Sequence, residues 1–436
     1  MQAAQHDDDV DLHRARRGRK RRFSEWRLGP GLITGAADDD PTAIGTYSVA
    51  GAAYGLQMLW LAVFTVPLMI AVQEMCGRVA LVTNCGLAAL IRRHFPAWVL
   101  YAALVLLVVP NVVNVYADLN AMAATMRLLF GGSLLLWATV LAAAIIAAQV
   151  LIPYRQYVNV LKFTCLALLA YVVILFLPQA HVAWRALTRA ALTPAWRGDR
   201  AFLATMVALL GTTISPYLFF WQASEQVEEN IADDVASPKA HRSHRVRQTE
   251  LVRIRCDTAI GMVSSQVIAA AIMITAAATL HATGHIHISS AQDAAQALRP
   301  LGGMAFAIFG LGIVGSGLLA VPTLGGSAAY ALAETMGWRR GLFRRFSRAR
   351  AFYLTIVAVI AAGYLLNFVG TLSPIQALIY AAALNGMAVP PMIVLLLLIA
   401  NNRKILGKHT NGTLANTVGI LTAALITAAA IALWAS

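Results

Sequence analysis

Apolar runs of about twenty residues follow one another along nearly the whole of this 436-residue chain. Twenty helical residues cover roughly 30 Å, the thickness of a bilayer's hydrocarbon core. That repetition restricts the fold severely, because backbone in hydrocarbon must satisfy its own N–H and C=O groups. The chain therefore reads as an all-α integral membrane protein. Its spans fall near 29–51, 56–80, 98–120, 132–152, 157–178, 201–224, 254–282, 303–334, 352–370, 375–400 and 413–435. Charged residues make up 12% of the chain, against roughly 25% in ordinary soluble domains.

The formal charge of +14 has a topological explanation. Basic residues cluster between Arg14 and Arg22, at Arg92 and Arg93, from Lys239 to Arg255, from Arg339 to Arg350, and at Arg403, Lys404 and Lys408. With the N-terminus inside, each cluster falls on the cytoplasmic side, as basic loops do. The segment 179–200 is the exception, with Arg185, Arg189, Arg197 and Arg200 outside, and reads as an interfacial helix. Lipid contact accounts for the charge without nucleic acid. Residues 1–27 read as a disordered basic cytoplasmic tail with no cleaved signal. Cys76, Cys85, Cys165 and Cys256 show no paired spacing and read as small apolar residues. Gly86 to Pro96 reads as a short amphipathic cytoplasmic helix.

The run GAADDDPTAIGTYS, Gly35 to Ser48, breaks the pattern. One aspartate at mid-membrane costs about 2.5–3.5 kcal/mol on insertion scales, so Asp38, Asp39 and Asp40 together demand water, protein partners or a cation. Pro41 removes a helix hydrogen bond and frees carbonyls near Gly35 to Ala37. Such a break is tolerated where it lines a cavity or is buried in protein. Span six repeats it: in LLGTTISPYLFFWQASEQVEEN, Pro216 follows Gly211, Thr212 and Thr213. The breaks lie five spans apart, an odd number, so the second copy is inverted. Paired broken helices in inverted halves point to a secondary transporter's midplane site. Carboxylate, hydroxyl and carbonyl oxygens suit Mg2+ or Mn2+. The domains expected are the tail, a transporter of residues 28–436 with repeats 28–178 and 201–400, and an extra helix at 413–435.

At these residues the chain resembles the NRAMP family of divalent-metal transporters, which share the LeuT-type inverted repeat. GPGLITGAADDDP, AGAAYGLQMLW and QEMCGRVALVTNCGLAALIR carry the likeness. Two departures stand out. The family's Asp-Pro-Gly-Asn is here Asp40-Pro41-Thr42-Ala43, and its Met-Pro-His is Ser215-Pro216-Tyr217. In span ten the usual Gln is replaced by Ala382, with Asn385 nearby. These losses resemble the NRAMP-related magnesium transporter branch. The resemblance implies Asp40 as main metal ligand, with the Thr212 carbonyl and Ser215; Asp39 is a further ligand candidate by position alone, since only Asp40 matches the family residue for residue. It leaves Ala43, Asn114, Asp118, Tyr217, Glu225 and Asn385 as pathway candidates. Asp118 falls where relatives carry an acid tied to proton release.

Losing a thioether weakens discrimination against Mg2+, since a soft ligand separates metals by more than size. The expected function is uptake of Mg2+ and Mn2+ across the cytoplasmic membrane by alternating access, without proton coupling. Metal is cargo, and no cofactor is expected. The alternative is a proton-coupled Mn2+/Fe2+ symporter. An amino-acid transporter fits less well, because three aspartates repel a carboxylate. An Asp-rich diphosphate enzyme needs DDxxD, and the fifth position is Thr42 or Ala43. No Walker loop, HExxH or GxSxG occurs, which argues against a nucleotide pump or a familiar hydrolase. His281, His285 and His287 read as a solvated external loop, with weak metal capture as the lesser reading. Glu74 and Arg78 read as an ion pair, and Asp257 as structural.

Overall fold

The computed structural model describes residues 29–152, 168–176, 184–236, 248–284, 304–369 and 373–435, with four isolated positions between 288 and 302. The basic tail, most of the fifth expected span, Cys165, His285, His287 and the cluster from Lys239 to Arg247 lie outside the described residues. Among the described residues nine helices are long and apolar enough to cross a membrane. The first expected span is not among those nine, and it is divided. Its halves are α1 (Pro30–Asp38) and α2 (Pro41–Tyr54).

Next come α3 (Leu59–Thr83), α4 (Leu87–His94), α5 (Ala97–Phe130) and α6 (Leu134–Leu151). The fifth span is represented by α7 (Leu169–Ile174), and the interfacial segment by α8 (Trp184–Leu192), none of whose residues is buried. The sixth is again two helices, α9 (Arg200–Thr213) and α10 (Pro216–Ala236). The remainder are α11 (Gln248–Thr279), α12 (Ala305–Met336), α13 (Arg350–Leu365), α14 (Pro374–Ala400) and α15 (Thr413–Ala435).

Both breaks have one construction: a helix ends, two residues run non-helically, and proline opens the next helix. Proline suits the first turn, where its missing N–H leaves no vacancy. Pro67, Pro110, Pro322 and Pro390 instead lie inside continuous helices. The preceding residue separates the two sets. It is valine before Pro67, Pro110, Pro322 and Pro390, the last followed directly by Pro391 in the same helix, against Asp40 before Pro41 and Ser215 before Pro216. Asp40 caps α2, its carboxylate accepting from the Ala43 N–H at 2.7 Å. The Ser215 hydroxyl serves the other end, donating to the Gly211 and Thr212 carbonyls at 2.8 and 3.0 Å. A polar side chain offers the freed backbone groups a partner, and valine offers none.

The broken helices sit at the centre. α1 and α2 pack on α11, and α9 packs on α14. A Cβ at Gly35 would stand 2.3 Å from the Gly261 carbonyl oxygen, and one at Gly211 only 2.2 Å from the Ala382 carbonyl oxygen. Small residues of this kind let helix backbones approach in a membrane.

Two expected boundaries move. α5 runs ten residues beyond its expected end at 120, to Phe130. α10 continues past 224, so Glu225, Glu228 and Glu229 lie within the helix. Partners explain the second shift. Glu228 accepts from the Tyr330 hydroxyl, and from the Leu342 N–H at 2.8 Å, while Glu229 pairs with Arg253 at 2.8 Å. The short helix α4 buries Leu87, Leu90 and Ile91, packing on α12 and α10. Glu334 of α12 accepts from its Ala89 N–H at 3.0 Å, favourable at a helix N-terminus.

Candidate metal site

Asp38, Asp39 and Asp40 are 0%, 2% and 2% exposed, and Asp118 of α5 is 0%. The break sends the carboxylates in different directions. Asp40 keeps one oxygen on the Ala43 N–H. Its other oxygen accepts from the Tyr217 hydroxyl of α10 at 3.1 Å, and that hydroxyl also faces the Ala37 carbonyl at 3.0 Å. One phenolic proton thus bridges the end of α1, the start of α2 and the start of α10. Asp118 reaches the same turn, one oxygen accepting from the Thr42 N–H at 3.1 Å and the Thr42 hydroxyl at 2.8 Å. Its other oxygen is buried without a partner among the described residues, as are both amide atoms of Asn114 one turn away.

Asp39 faces elsewhere. With Asp38 it converges on Ser265 of α11, whose hydroxyl is 2.6 Å from Asp38 and 3.2 Å from Asp39. Among the described residues no three His, Cys, Asp or Glu side chains stand as a ligand group. A cation held at Asp40 would therefore draw most of its ligands from hydroxyls, carbonyls and water. The carbonyls of Ala37 and Thr212 are at hand, but hydroxyls of Tyr217 and Ser215 engage them in this arrangement.

The remaining candidates are spread around this centre. Ala43 is fully buried beside the break, and Asn385 is 2% exposed on α14. Glu225 is buried eight residues along α10 from Tyr217, about 12 Å at 1.5 Å per residue. Ser265 and Tyr47 did not figure among the expected ligands. Tyr47 meets the Thr213 hydroxyl at 3.1 Å, linking α2 to α9. The signal for Ser265 was present in Ser264-Ser265-Gln266, a polar trio inside an apolar span.

Outside the centre, polar groups fasten the ends of helices. Asp257 accepts from the Gly29 and Gly31 N–H groups at 3.0 and 2.6 Å, capping α1 from α11. Glu74 pairs with Arg78 and Arg255, each at 3.1 Å. His281 holds the Ala52 carbonyl at 2.7 Å.

Residues 31–436 match the family described as natural resistance-associated macrophage protein-like. The chain belongs to the Nramp family. It is 27% identical over 415 residues to the divalent metal cation transporter MntH of Aeromonas hydrophila, covering 93% of this chain and 94% of that one. The MntH of Erwinia tasmaniensis is 28% identical over 419 residues, covering 95% and 94%. In structure the chain is similar to the Eremococcus coleocola manganese transporter in complex with an aromatic bis-isothiourea substituted compound. That TM-score is 0.71 at 18% identity, over 93% of this chain and 85% of that one. It is also similar to Mhp1, a nucleobase-cation-symport-1 family transporter in a closed conformation, with a TM-score of 0.57 at 16% identity over 94% and 91%. The fold is the all-helical LeuT type, and the protein is a multi-pass membrane transporter of divalent metal with metal as its cargo. Family members are transporters, not enzymes.

Proposed function

We propose that this Nramp protein takes up Mg2+, and Mn2+ with it, across the cytoplasmic membrane without a coupled proton. The observation that carries the reading is the set of three replacements at the two breaks. Ala43 and Ser215 stand where a metal-selective site needs an amide and a thioether, and Tyr217 stands where it needs an imidazole. A site of carboxylate, hydroxyl and carbonyl oxygen is hard throughout and gains nothing from a softer metal. Mg2+ keeps several waters and takes one or two carboxylates, which suits Asp40 with Asp118 nearby. Asp40 is the principal ligand in this reading, with the Thr212 carbonyl and Ser215 joining once their mutual hydrogen bond opens.

With the N-terminus cytoplasmic, an inside-negative potential draws cations inward by about 2.3 kcal/mol per charge per 100 mV. A divalent ion therefore needs no second driving ion. Residues 28–178 and 201–400 act as the two inverted repeats, and 413–435 as an added helix.

The test is Mg2+ uptake into dye-loaded proteoliposomes under a potassium-set voltage, with internal pH followed alongside. Uptake is expected to track voltage, leave pH unchanged and vanish in Asp40→Ala. Entry of Mn2+ without Mg2+, or acidification in step with uptake, would return the protein to proton-coupled Mn2+ symport. In the same assay Ser215→Met with Ala43→Asn is expected to shift preference toward Mn2+ by tenfold or more, read as the ratio of initial rates.

A further inference from the structure

The reading above uses Asp40 and Asp118 and leaves Asp38 and Asp39 without a task. These two carboxylates are almost fully buried, and none of the ion pairs among the described residues includes either. Their shared partner is inadequate. A serine hydroxyl carries one proton, so Ser265 gives the two carboxylates a single shared donor. The second oxygen of Asp38 is buried with no partner among the described residues.

Further polar groups converge on this side of the break. The Tyr47 hydroxyl lies in the field of both Asp38 and Asp39, with the Gln266 side chain beside it. Gln266 is 3% exposed; its carbonyl accepts from Thr65 at 3.2 Å, and its amide nitrogen has no partner within hydrogen-bond distance among the described residues. Carboxylate and hydroxyl oxygens are hard ligands, and an unpaired amide N–H is a donor that a metal-bound water can accept. Charge balance points the same way. Four buried aspartates surround the break, and with all four ionised one divalent ion at Asp40 and Asp118 leaves two negative charges against α11. Buried charge persists only when it is compensated.

We propose that Asp38, Asp39 and Ser265, with Tyr47, form a second cation site on the α11 side of the break, taking a partly hydrated divalent ion of the Mg2+ class. It is separate from the Asp40 site and rests on the reading above only for the identity of the ion. The two sites are neighbours, since adjacent residues have Cα atoms about 3.8 Å apart. Two Mn2+ ions bound there would broaden each other's electron spin resonance.

The experiment counts Mn2+ bound to the purified full-length protein in detergent by loss of the free-ion resonance, then adds Mg2+ as competitor. Two ions per chain with a broadened bound spectrum are expected. Asp38→Asn with Asp39→Asn is expected to leave one ion and a narrow spectrum. Asp40→Asn is expected to keep the other ion. Ser265→Ala, a milder change, should weaken one of the two ions at least threefold and leave the second as it was, which keeps the test usable if the double variant elutes as aggregate. A single ion in the unaltered protein, or no change in the double variant while Asp40→Asn loses its ion, would overturn the second site and leave the proposed function standing. Two Mn2+ ions that Mg2+ fails to displace would keep the second site and overturn the magnesium reading.

Discussion

Tyr217 sets the state of the central site. Its single proton is shared between the Ala37 carbonyl and Asp40, two oxygens a cation would want. Metal must displace this hydroxyl or work around it. Tyr217→Phe leaves a buried carbonyl and a buried carboxylate oxygen short of a donor, at about 1–3 kcal/mol each. The ion-free protein loses that stability, while the ion-bound protein has less to lose. Tyr217→Phe is therefore expected to melt earlier without metal and to show apparent affinity tighter by several-fold. Melting curves with and without Mg2+, and uptake against Mg2+ concentration, measure both. Equal melting shifts in the two conditions would show that the hydroxyl does not compete with the ion.

The sequence was most informative here about which residues matter and least about which way they point. Three adjacent aspartates and a proline marked the break. Adjacent side chains at a break diverge with the backbone, and nothing in the letters told that Asp39 would turn to α11 while Asp40 capped α2. The Thr42–Asp118 contact, across 76 positions, belongs to tertiary packing and is invisible to local pattern.

At the scale of the element, the residue before each proline separates a break from a tolerated kink. Asp40 and Ser215 provide partners to a freed helix end; the valines before Pro67, Pro110, Pro322 and Pro390 do not. The rule was available in the sequence, since these dipeptides can be read directly. Ser215→Val removes the donor to Gly211 and Thr212, and is expected to lower the melting temperature and reduce uptake at least tenfold. Pro110→Ala restores a hydrogen bond inside a helix that is already continuous, and is expected to leave uptake within about twofold. Comparable losses in both variants would mean that the preceding residue is not what distinguishes them. The helix ends were harder to read. α10 runs on because the Tyr330 hydroxyl and the Leu342 N–H donate to the Glu228 carboxylate, which composition alone assigns to a loop.

Across the whole molecule, α1 is held at both ends by the same neighbour. Asp257 caps its start through Gly29 and Gly31, and Ser265 meets Asp38 and Asp39 at its finish. A half-helix so attached moves with α11 or must release it. Loss of an N-cap carboxylate costs about 0.5–2 kcal/mol, roughly two- to thirty-fold in the balance between held and released states. Asp257→Ala is expected to raise modification of a cysteine placed at Ala36 by that factor, read with a membrane-impermeant maleimide. Unchanged labelling would show that the cap does not govern movement of α1.

The glycine contacts carry a different consequence. Gly35 lies against the backbone of Gly261, and Gly211 against the backbones of Ala382 and Gly386, with no side chain between. Interlocked side chains resist sliding because each tooth must climb over its neighbour. These two crossings have no teeth. They are plain bearings, about which the halves of the broken helices can turn without unpacking, and a single methyl group added at either would act as grit in the joint.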